Sequence, residues 1–180
     1  SPEKNPMLFI DAMAQVQAKG IVCRGLMLGE GPLKPKLLKR IREHGLDKTI
    51  NIEFSNHPTT LMSKAAVFVT LQSGDNYGSQ SLLEAMGAGC AIVATDVGET
   101  SRLVTEKVGQ LVRPDVNEVS DAILSLLENP DITMRKGMAA SHLVRTYYTA
   151  ERYAAFIESL YERAVKLYLS RPMRLKRRKE

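Results

Sequence analysis

Apolar residues recur along this chain with two spacings that alternate from one segment to the next. After Pro6 they return every three or four positions as far as Val16, which predicts a helix beginning at the proline. The next apolar stretch, at about 21–28, is continuous, as in a strand with both faces covered. Alternation of amphipathic helices with continuous apolar strands predicts an α/β fold with a doubly wound parallel sheet, a Rossmann-like arrangement.

The same two patterns predict the remaining elements. Further strands are expected at about 50–54, 66–71, 91–94 and 110–112. Further helices are expected at about 34–44, 59–64, 79–87, 99–104, 117–127, 132–147 and 150–169. The run 66–71 is rich in β-branched residues and is interpreted as a strand buried on both faces.

The two ends of the chain indicate a piece of a longer protein. A doubly wound domain ordinarily opens on a strand, whereas this chain opens on Ser-Pro-Glu-Lys-Asn-Pro and a helix. We therefore expect residues 1–170 to form one domain whose first strand lies upstream. The last helix also carries more apolar surface than one sheet face covers.

Composition and charge exclude several function classes. Hydrophobic residues make up 44% of the chain and charged residues 25%, as in ordinary globular proteins. The net charge is +5, but residues 171–180 hold six basic side chains and one acid, so the rest is neutral. The basicity belongs to a tail and does not indicate a nucleic-acid-binding face. Anionic lipid headgroups would attract such a tail.

The cysteines, histidines and hydropathy of the chain bear on its cellular compartment and on whether it holds a metal site. Cys23 and Cys90 each stand in an apolar run, typical of buried free thiols in a reducing compartment. The three histidines lack partners at useful spacing, so no metal site is expected. We find no membrane-spanning stretch or signal peptide and expect a cytoplasmic protein, with peripheral contact at the inner membrane face through the tail.

The candidate chemistry is concentrated at residues 73–100. This segment reads as a polar glycine-containing loop, a short helix capped by Ser79, a buried strand and a second glycine loop. The first turn of a helix offers unpaired N–H groups and a favourable dipole to an anion. Glu84 lies about a turn and a half further along, where it could accept hydrogen bonds from vicinal hydroxyls. A phosphate and a sugar diol together indicate nucleotide-sugar recognition, although an ordinary capping loop would use the same amides.

The glycine-rich loops are expected on a single edge of the sheet. The loops at 29–32, 73–78 and 95–100 each follow a predicted strand, and ligands of doubly wound sheets bind at the carboxyl ends of the strands. Gly29 and Gly31 could serve turn geometry alone, or they could let the backbone approach a ligand closely.

Several of these motifs, taken together, resemble the carboxyl-terminal domain of glycosyltransferase family 4. The resemblance is carried by Glu84-Ala-Met-Gly-Ala-Gly89 with the downstream runs 91–95 and 97–100. Pro2–Pro6, Gly29–Pro32 and Gly109–Asp115 match further family segments in the expected order. The matches extend over about 170 residues, which makes coincidence of short motifs an inadequate explanation.

The resemblance implies a GT-B architecture, in which two Rossmann-like domains face each other across a cleft. Residues 1–170 would be the nucleotide-sugar-binding domain of a retaining hexosyltransferase, and the acceptor would sit on an amino-terminal domain of the same protein. The donor would be a UDP, GDP or ADP sugar, with the base undetermined and no cofactor. The isolated chain is expected to transfer little or no sugar.

The resemblance also assigns residue roles. It gives Lys4 to the phosphates, Glu84 to the ribose, and Gly29 and Gly31 to donor approach. Donor contacts are implied for the loop residues Asn76, Tyr77, Gly78, Ser79 and Gln80. The family signature is a pair of glutamates with seven residues between them, and this chain has Asn76 at the first position and Glu84 at the second. A one-residue insertion would place Asp75 there instead.

Asn76 and Glu84 are therefore the candidate catalytic residues. Arg102 stands where many relatives carry a glutamate, and the sequence assigns it no role. Two rival functions remain open: a UDP-sugar epimerase, whose additional acid and base residues are not found here, and a noncatalytic domain that binds a nucleotide or a partner.

Overall fold

The computed structural model describes residues 2–74 and 79–170. Within them the strands are β1 Gly25–Leu28, β2 Ile50–Glu53, β3 Val67–Thr70, β4 Ala91–Thr95 and β5 Gly109–Val112. The helices are α1 Pro6–Ala18, α2 Lys34–Glu43, α3 Pro58–Met62, α4 Gln80–Gly87, α5 Val116–Leu127, α6 Pro130–Tyr147 and α7 Ala150–Leu169. Short 3₁₀ turns cover Pro2–Lys4 and Thr100–Arg102.

The strand pairs are all parallel. β1 pairs with β2, and a second sheet has the order β3-β4-β5, with Val69 of β3 opposite Val93 of β4. Helices pack on both faces of the second sheet. Successive residues of β4 point to opposite faces, so alternate residues contact different helices. Ala91 and Val93 pack with α1, α2 and α5, whereas Ile92 and Ala94 pack with α4 and α6. The predicted parallel α/β class is confirmed.

Two predictions about the strands are wrong. The strand predicted at 21–28 begins only at Gly25, and Val22 is fully exposed to solvent. β3 was predicted to be buried on both faces, yet all four of its residues are half-buried. The reason is its position in the sheet, since β3 has a hydrogen-bonded neighbour on the β4 side only and its other edge lines a cavity.

Close backbone approach holds α6 and β5 against β4. A Cβ atom added at Gly137 of α6 would fall well inside contact distance of the Gly89 carbonyl oxygen. A Cβ at Gly109 would collide with the Ile92 carbonyl oxygen in the same way. Lys136 adds a tie, because its ammonium donates to the carbonyl oxygens of Glu106 and Gly109.

The last described helix stands apart from the core. α7 has the predicted bounds, and Thr149 caps it by accepting a bond from the Arg152 amide at 3.3 Å. None of its residues is buried, and several large apolar side chains along it are exposed, among them Tyr153, Phe156 and Tyr161. No helix within 2–74 and 79–170 is long and apolar enough to cross a membrane. The predicted basic tail, 171–180, lies outside the described residues.

Candidate functional site

A cavity of about 1030 Å³ lies between β1 and β3 and extends to the loops at the carboxyl ends of these strands. Three of the predicted site residues, Lys4, Gly29 and Gly31, line it at that end. Gln72 and Ser81 line it too, from the chain after β3 and from the first turn of α4. The structure therefore brings together residues that are up to 77 positions apart in the sequence.

Lys4 reaches this place because the turn around it is tied to the end of β3. The Asn5 side-chain amide donates to the Leu71 carbonyl oxygen at 3.0 Å. The Ser73 backbone amide and hydroxyl both donate to the Glu3 carbonyl oxygen, at 2.8 and 3.2 Å. These bonds fix the turn beside the start of the loop that leads to α4.

Asn5 is a site residue that sequence reasoning missed. Its φ of 44° lies in the left-handed region, which asparagine tolerates better than most residues. Its side chain does not cap α1 and is free to bond Leu71. The signal available in the sequence was an asparagine directly before the proline that starts a helix.

Gly29 and Gly31 lie in the loop that follows β1. Their φ angles are 142° and 148°, a region that side-chain-bearing residues rarely adopt. A Cβ at either position would meet nothing within 4 Å, so the glycines are required by backbone conformation and not by local crowding. Both glycines belong to the lining of the cavity.

Helix α4 starts one residue later than predicted, with Ser79 at the capping position. The Ser79 hydroxyl does not cap a backbone amide; its Oγ lies 3.1 Å from the Ser81 Oγ. The predicted N-cap position of Ser79 is confirmed, although its side chain makes no capping hydrogen bond. The first intrahelical bonds run from the Leu82 and Leu83 amides to the Ser79 carbonyl, so the Gln80 and Ser81 amides precede the helical ladder.

Glu84 is half-buried on α4 and does not line the cavity between β1 and β3. Its Oε1 accepts a bond from the Gln80 side-chain amide at 2.8 Å, one turn earlier on the same face. The carboxylate is thus held near the start of α4 by an exposed partner that a ligand hydroxyl could replace. Asn76, Tyr77 and Gly78, together with the alternative Asp75, lie outside the described residues.

The loop before α4 is also anchored from β4. The buried Thr95 donates its hydroxyl to the Gln72 carbonyl oxygen at 2.7 Å. This bond joins the carboxyl ends of β3 and β4, the two strands that flank the loop. The signal in the sequence was a threonine closing an otherwise aliphatic buried strand.

The charges around the cavity favour an anion. Among the described residues that line its carboxyl end, Lys4 and Lys34 are basic and Glu30 is acidic, and Arg24 and Lys64 belong to the rest of the lining. Arg102, to which the sequence gave no role, pairs with Glu99 on the turn after β4. Its guanidinium is therefore already neutralised locally.

The thiols and histidines bear on the core more than on the site. Cys90 is fully buried and donates to the Met62 carbonyl oxygen at 3.2 Å, and burial raises the pKa of its thiol to about 11. Cys23 is half-buried on the cavity wall, and burial raises the pKa of its thiol also. Sequence spacing indicated no carboxylate partner for the histidines. In the structure His44 has one, since its Nε2 lies 3.0 Å from Oδ1 of Asp11 on helix α1.

Comparison with known proteins places the chain in a family. The model of the family "Glycosyl transferases group 1" matches residues 1–129. The N-acetylgalactosamine-N,N'-diacetylbacillosaminyl-diphospho-undecaprenol 4-alpha-N-acetylgalactosaminyltransferase of Campylobacter jejuni is 31% identical over 130 residues. That alignment covers 70% of this chain and 34% of the relative. The chain spans 31–39% of the length of the curated relatives it matches.

Solved structures agree on the fold. The carboxyl-terminal domain of a group 1 glycosyl transferase (LpcC) from Francisella tularensis superposes with a TM-score of 0.73 at 24% identity, covering 83% of this chain and 82% of that one. Anabaena HepE, solved in complex with UDP-glucose, superposes with a TM-score of 0.78 at 20% identity, covering 90% of this chain and 46% of that one. This chain therefore belongs to the group 1 glycosyl transferases, glycosyltransferase family 4, and has the fold of their carboxyl-terminal GT-B domain.

Proposed function

We propose that this chain is the donor-binding domain of a retaining hexosyltransferase that uses a nucleoside diphosphate sugar. The observation that carries the proposal is the convergence of Lys4, the two left-handed glycines and the start of α4 at one basic end of a cavity. Family membership supports the same conclusion, since the relative from Campylobacter jejuni is a glycosyltransferase by name.

The proposed roles follow from chemistry and position. The Lys4 ammonium and the backbone amides of the first turn of α4, at Gln80 and Ser81, bind the diphosphate, because a positive charge and N–H donors at a helix start both favour an anion. Gly29 and Gly31 let the backbone approach the donor closely. The Glu84 carboxylate accepts hydrogen bonds from the ribose hydroxyls after exchanging its bond to the Gln80 side chain.

The loop residues complete the proposed donor site. Asn76 occupies the first position of the paired-glutamate signature, or Asp75 does so in the alternative alignment. An asparagine keeps an oxygen acceptor and adds two N–H donors while losing the negative charge. Asn76, Tyr77, Gly78 and Ser79 would then contact the donor sugar and its phosphates.

The proposed reaction breaks the bond between the sugar C1 and the diphosphate oxygen and forms one between C1 and an acceptor hydroxyl oxygen. The hydroxyl proton passes to the leaving phosphate oxygen on the same face, which retains the configuration at C1. Lys4 and the helix amides stabilise the charge that develops on the diphosphate, so catalysis rests on electrostatics and positioning. The alpha linkage in the name of the Campylobacter jejuni relative is consistent with retention.

The acceptor would be held by an amino-terminal domain of the same protein. This chain corresponds to about a third of the length of its curated relatives. We therefore expect the isolated 180 residues to bind donor nucleotide but to transfer sugar at no more than a trace rate. A robust transfer rate measured with the isolated chain would contradict this assignment of roles.

Calorimetric titration of the chain with UDP, GDP and ADP tests the donor site. We expect UDP to bind most tightly, as HepE was solved with UDP-glucose. Glu84→Gln should weaken nucleotide binding about tenfold by removing a charged acceptor. Glu158→Gln on the exposed helix α7 is the matched control and should bind as the unchanged chain does.

Two results would overturn the proposal. If none of the three nucleotides binds at millimolar concentration while the chain remains folded, the noncatalytic alternative is favoured. If Glu84→Gln and Glu158→Gln bind equally well, Glu84 does not hold the ribose.

A further inference from the structure

Asp11 on helix α1 is joined to two side chains at the end of helix α2. Its Oδ1 accepts a hydrogen bond from Arg40 Nε at 2.7 Å and lies 3.0 Å from His44 Nε2. The Asp11 side chain is only 22% exposed. Shielded, hydrogen-bonded charges constrain geometry more than exposed ion pairs do. This contact is therefore able to hold the two helices in one relative position.

Helix α1 is fixed together with Lys4. The helix begins at Pro6, two residues after Lys4, and the turn before it is bonded to the chain after β3 through Asn5 and Glu3. Further along α1, Ile10 is fully buried in the core. Lys4 and α1 therefore occupy one fixed place relative to β3.

Helix α2 holds the end of the glycine loop. At the start of the loop the Gly29 amide donates to the Glu53 carbonyl oxygen of β2 at 2.9 Å. At its other end the amide of Lys34, the first residue of α2, donates to the Gly31 carbonyl oxygen at 3.1 Å. The two glycines have no side chains to restrict their dihedral angles, so the loop itself resists a shift only weakly. The position of α2 therefore sets the position of Gly31.

Apolar packing alone does not fix α2 completely. The helix packs on the core through Leu37 and Ile41, which are both buried. Apolar contacts are non-directional, so they fix the depth of the helix better than its rotation or its position along its own axis. Hydrogen bonds require particular distances and angles. Contacts from Arg40 and His44, four residues apart, to one oxygen therefore restrict both of these movements.

We propose that Asp11 is a positioning residue for the donor site. Through Arg40 and His44 it fixes α2 against α1, and it thereby sets the distance between Gly31 and Lys4. None of the described side chains Asp11, Arg40 and His44 lines the cavity, so Asp11 acts through the placement of the loop. This inference rests on the proposed function, which assigns Lys4 and the glycine loop to the donor.

Calorimetric titration of variants with UDP tests the proposal. Asp11→Ala removes the shared acceptor and should weaken UDP binding at least about fivefold. Arg40→Gln removes one of the two donors and should weaken binding about threefold. Asp11→Asn keeps an acceptor oxygen and should bind UDP within about twofold of the unchanged chain. Rescue by this conservative variant is the result expected of a positioning role.

Two controls separate positioning from other effects of substitution. Glu43→Gln removes ion pairs with Lys39 and Arg40 that lie within α2, and it should leave UDP affinity unchanged. Lys136→Met removes the bonds to the Glu106 and Gly109 carbonyl oxygens. It should lower the free energy of unfolding without changing UDP affinity. Equal losses of affinity in Lys136→Met and Asp11→Ala would assign the effect to stability alone and overturn the proposal.

Hydrogen exchange measures the placement of the loop without a ligand. The Lys34 amide, which is bonded to Gly31, should exchange at least about fivefold faster in Asp11→Ala than in the unchanged chain or in Asp11→Asn. The rate is taken relative to that of the Ile92 amide, whose bond to the Val108 carbonyl oxygen in the core reports global unfolding.

The two measurements distinguish a failure of this inference from a failure of the proposed function. If the unchanged chain binds no nucleotide, the proposed function is wrong, and exchange at Lys34 still decides whether Asp11 places the loop. Faster exchange supports that placement, and equal exchange overturns it. If the unchanged chain binds UDP, equal affinity in Asp11→Ala overturns the positioning role whatever the exchange rates are.

Discussion

β3 and β4 lie side by side in one sheet and have similar apolar sequences, yet their surroundings differ. All five residues of β4 are buried, whereas all four of β3 are half-exposed. β4 has a strand on each side and helices on both faces, and β3 borders the cavity. The contrast teaches that apolar character marks a strand as a candidate for burial, and that its neighbours decide whether burial occurs.

The largest expected effect lies on the closed side, where α6 meets β4. Gly137→Ala places a methyl group against the Gly89 carbonyl oxygen, and backbone on both sides leaves little room to relax. We expect a loss of about 3 kcal/mol in the free energy of unfolding, measured by urea denaturation. Met138→Ala, at a position that is 65% exposed on the same helix, is the control and should change stability by less than about 1 kcal/mol.

A matched pair of truncations measures the comparison directly. Val93 and Val69 are partners in the β3–β4 register, but only Val93 is fully buried. We expect Val93→Ala to cost about 2 kcal/mol and Val69→Ala about 1 kcal/mol, because folding removes less apolar surface from water at the half-buried Val69 than at the fully buried Val93. Equal costs would mean that β3 is as enclosed in solution as β4.

The hydrogen bond that joins the amino-terminal turn to the chain after β3 is expected to contribute less to the free energy of unfolding. Asn5→Ala removes the 3.0 Å bond to the Leu71 carbonyl and should cost about 1 kcal/mol in unfolding free energy. Because the turn also positions Lys4, nucleotide affinity should fall as well. Asn117→Ala on α5 is the control for affinity, since it lies away from the cavity wall; unchanged affinity in Asn5→Ala would separate the tie from the donor site.

The smallest expected effect is a pH dependence of the α1–α2 contact. Burial alone would raise the pKa of Asp11, but bonds from Arg40 at 2.7 Å and from His44 outweigh it and hold that pKa below its ordinary value of 3.8. Its stabilisation is therefore present above that value and lost as pH falls through the lower folded pKa. Asp11→Asn should flatten the fall in stability below pH 3.8, whereas exposed Asp47→Asn should not; equal acid profiles would contradict the assignment.

Much of the fold could be predicted because the signals are local. β4 was predicted to within one residue and α7 to the residue, since an apolar run and an amphipathic stretch each carry their own period. β1 was overextended because Ile21–Cys23 are apolar without being in the sheet. The burial of β3 could not be predicted, because it depends on a neighbouring strand and not on its own residues.

The candidate site was predictable in its parts and not in its arrangement. Gly29 and Gly31 could be identified because glycine is a direct signal of unusual backbone. The bonds from Asn5 to Leu71 and from Ser73 to Glu3 join residues at least 66 positions apart, and no spacing rule encodes them. The roles of all the predicted site residues stay predictions: Lys4, Gly29, Gly31, Asn76, Tyr77, Gly78, Ser79, Gln80 and Glu84.

The contact between Gly137 and the Gly89 carbonyl also constrains how this sequence can change over evolutionary time. A side chain at 137 is tolerated only after the segment around 89 has shifted, so the two positions cannot drift independently. A substitution of Gly137 therefore requires an earlier change that moves the backbone around Gly89 away from α6. Lineages of this protein should therefore accept new residues on the outer surface of α6 long before they accept one at this point.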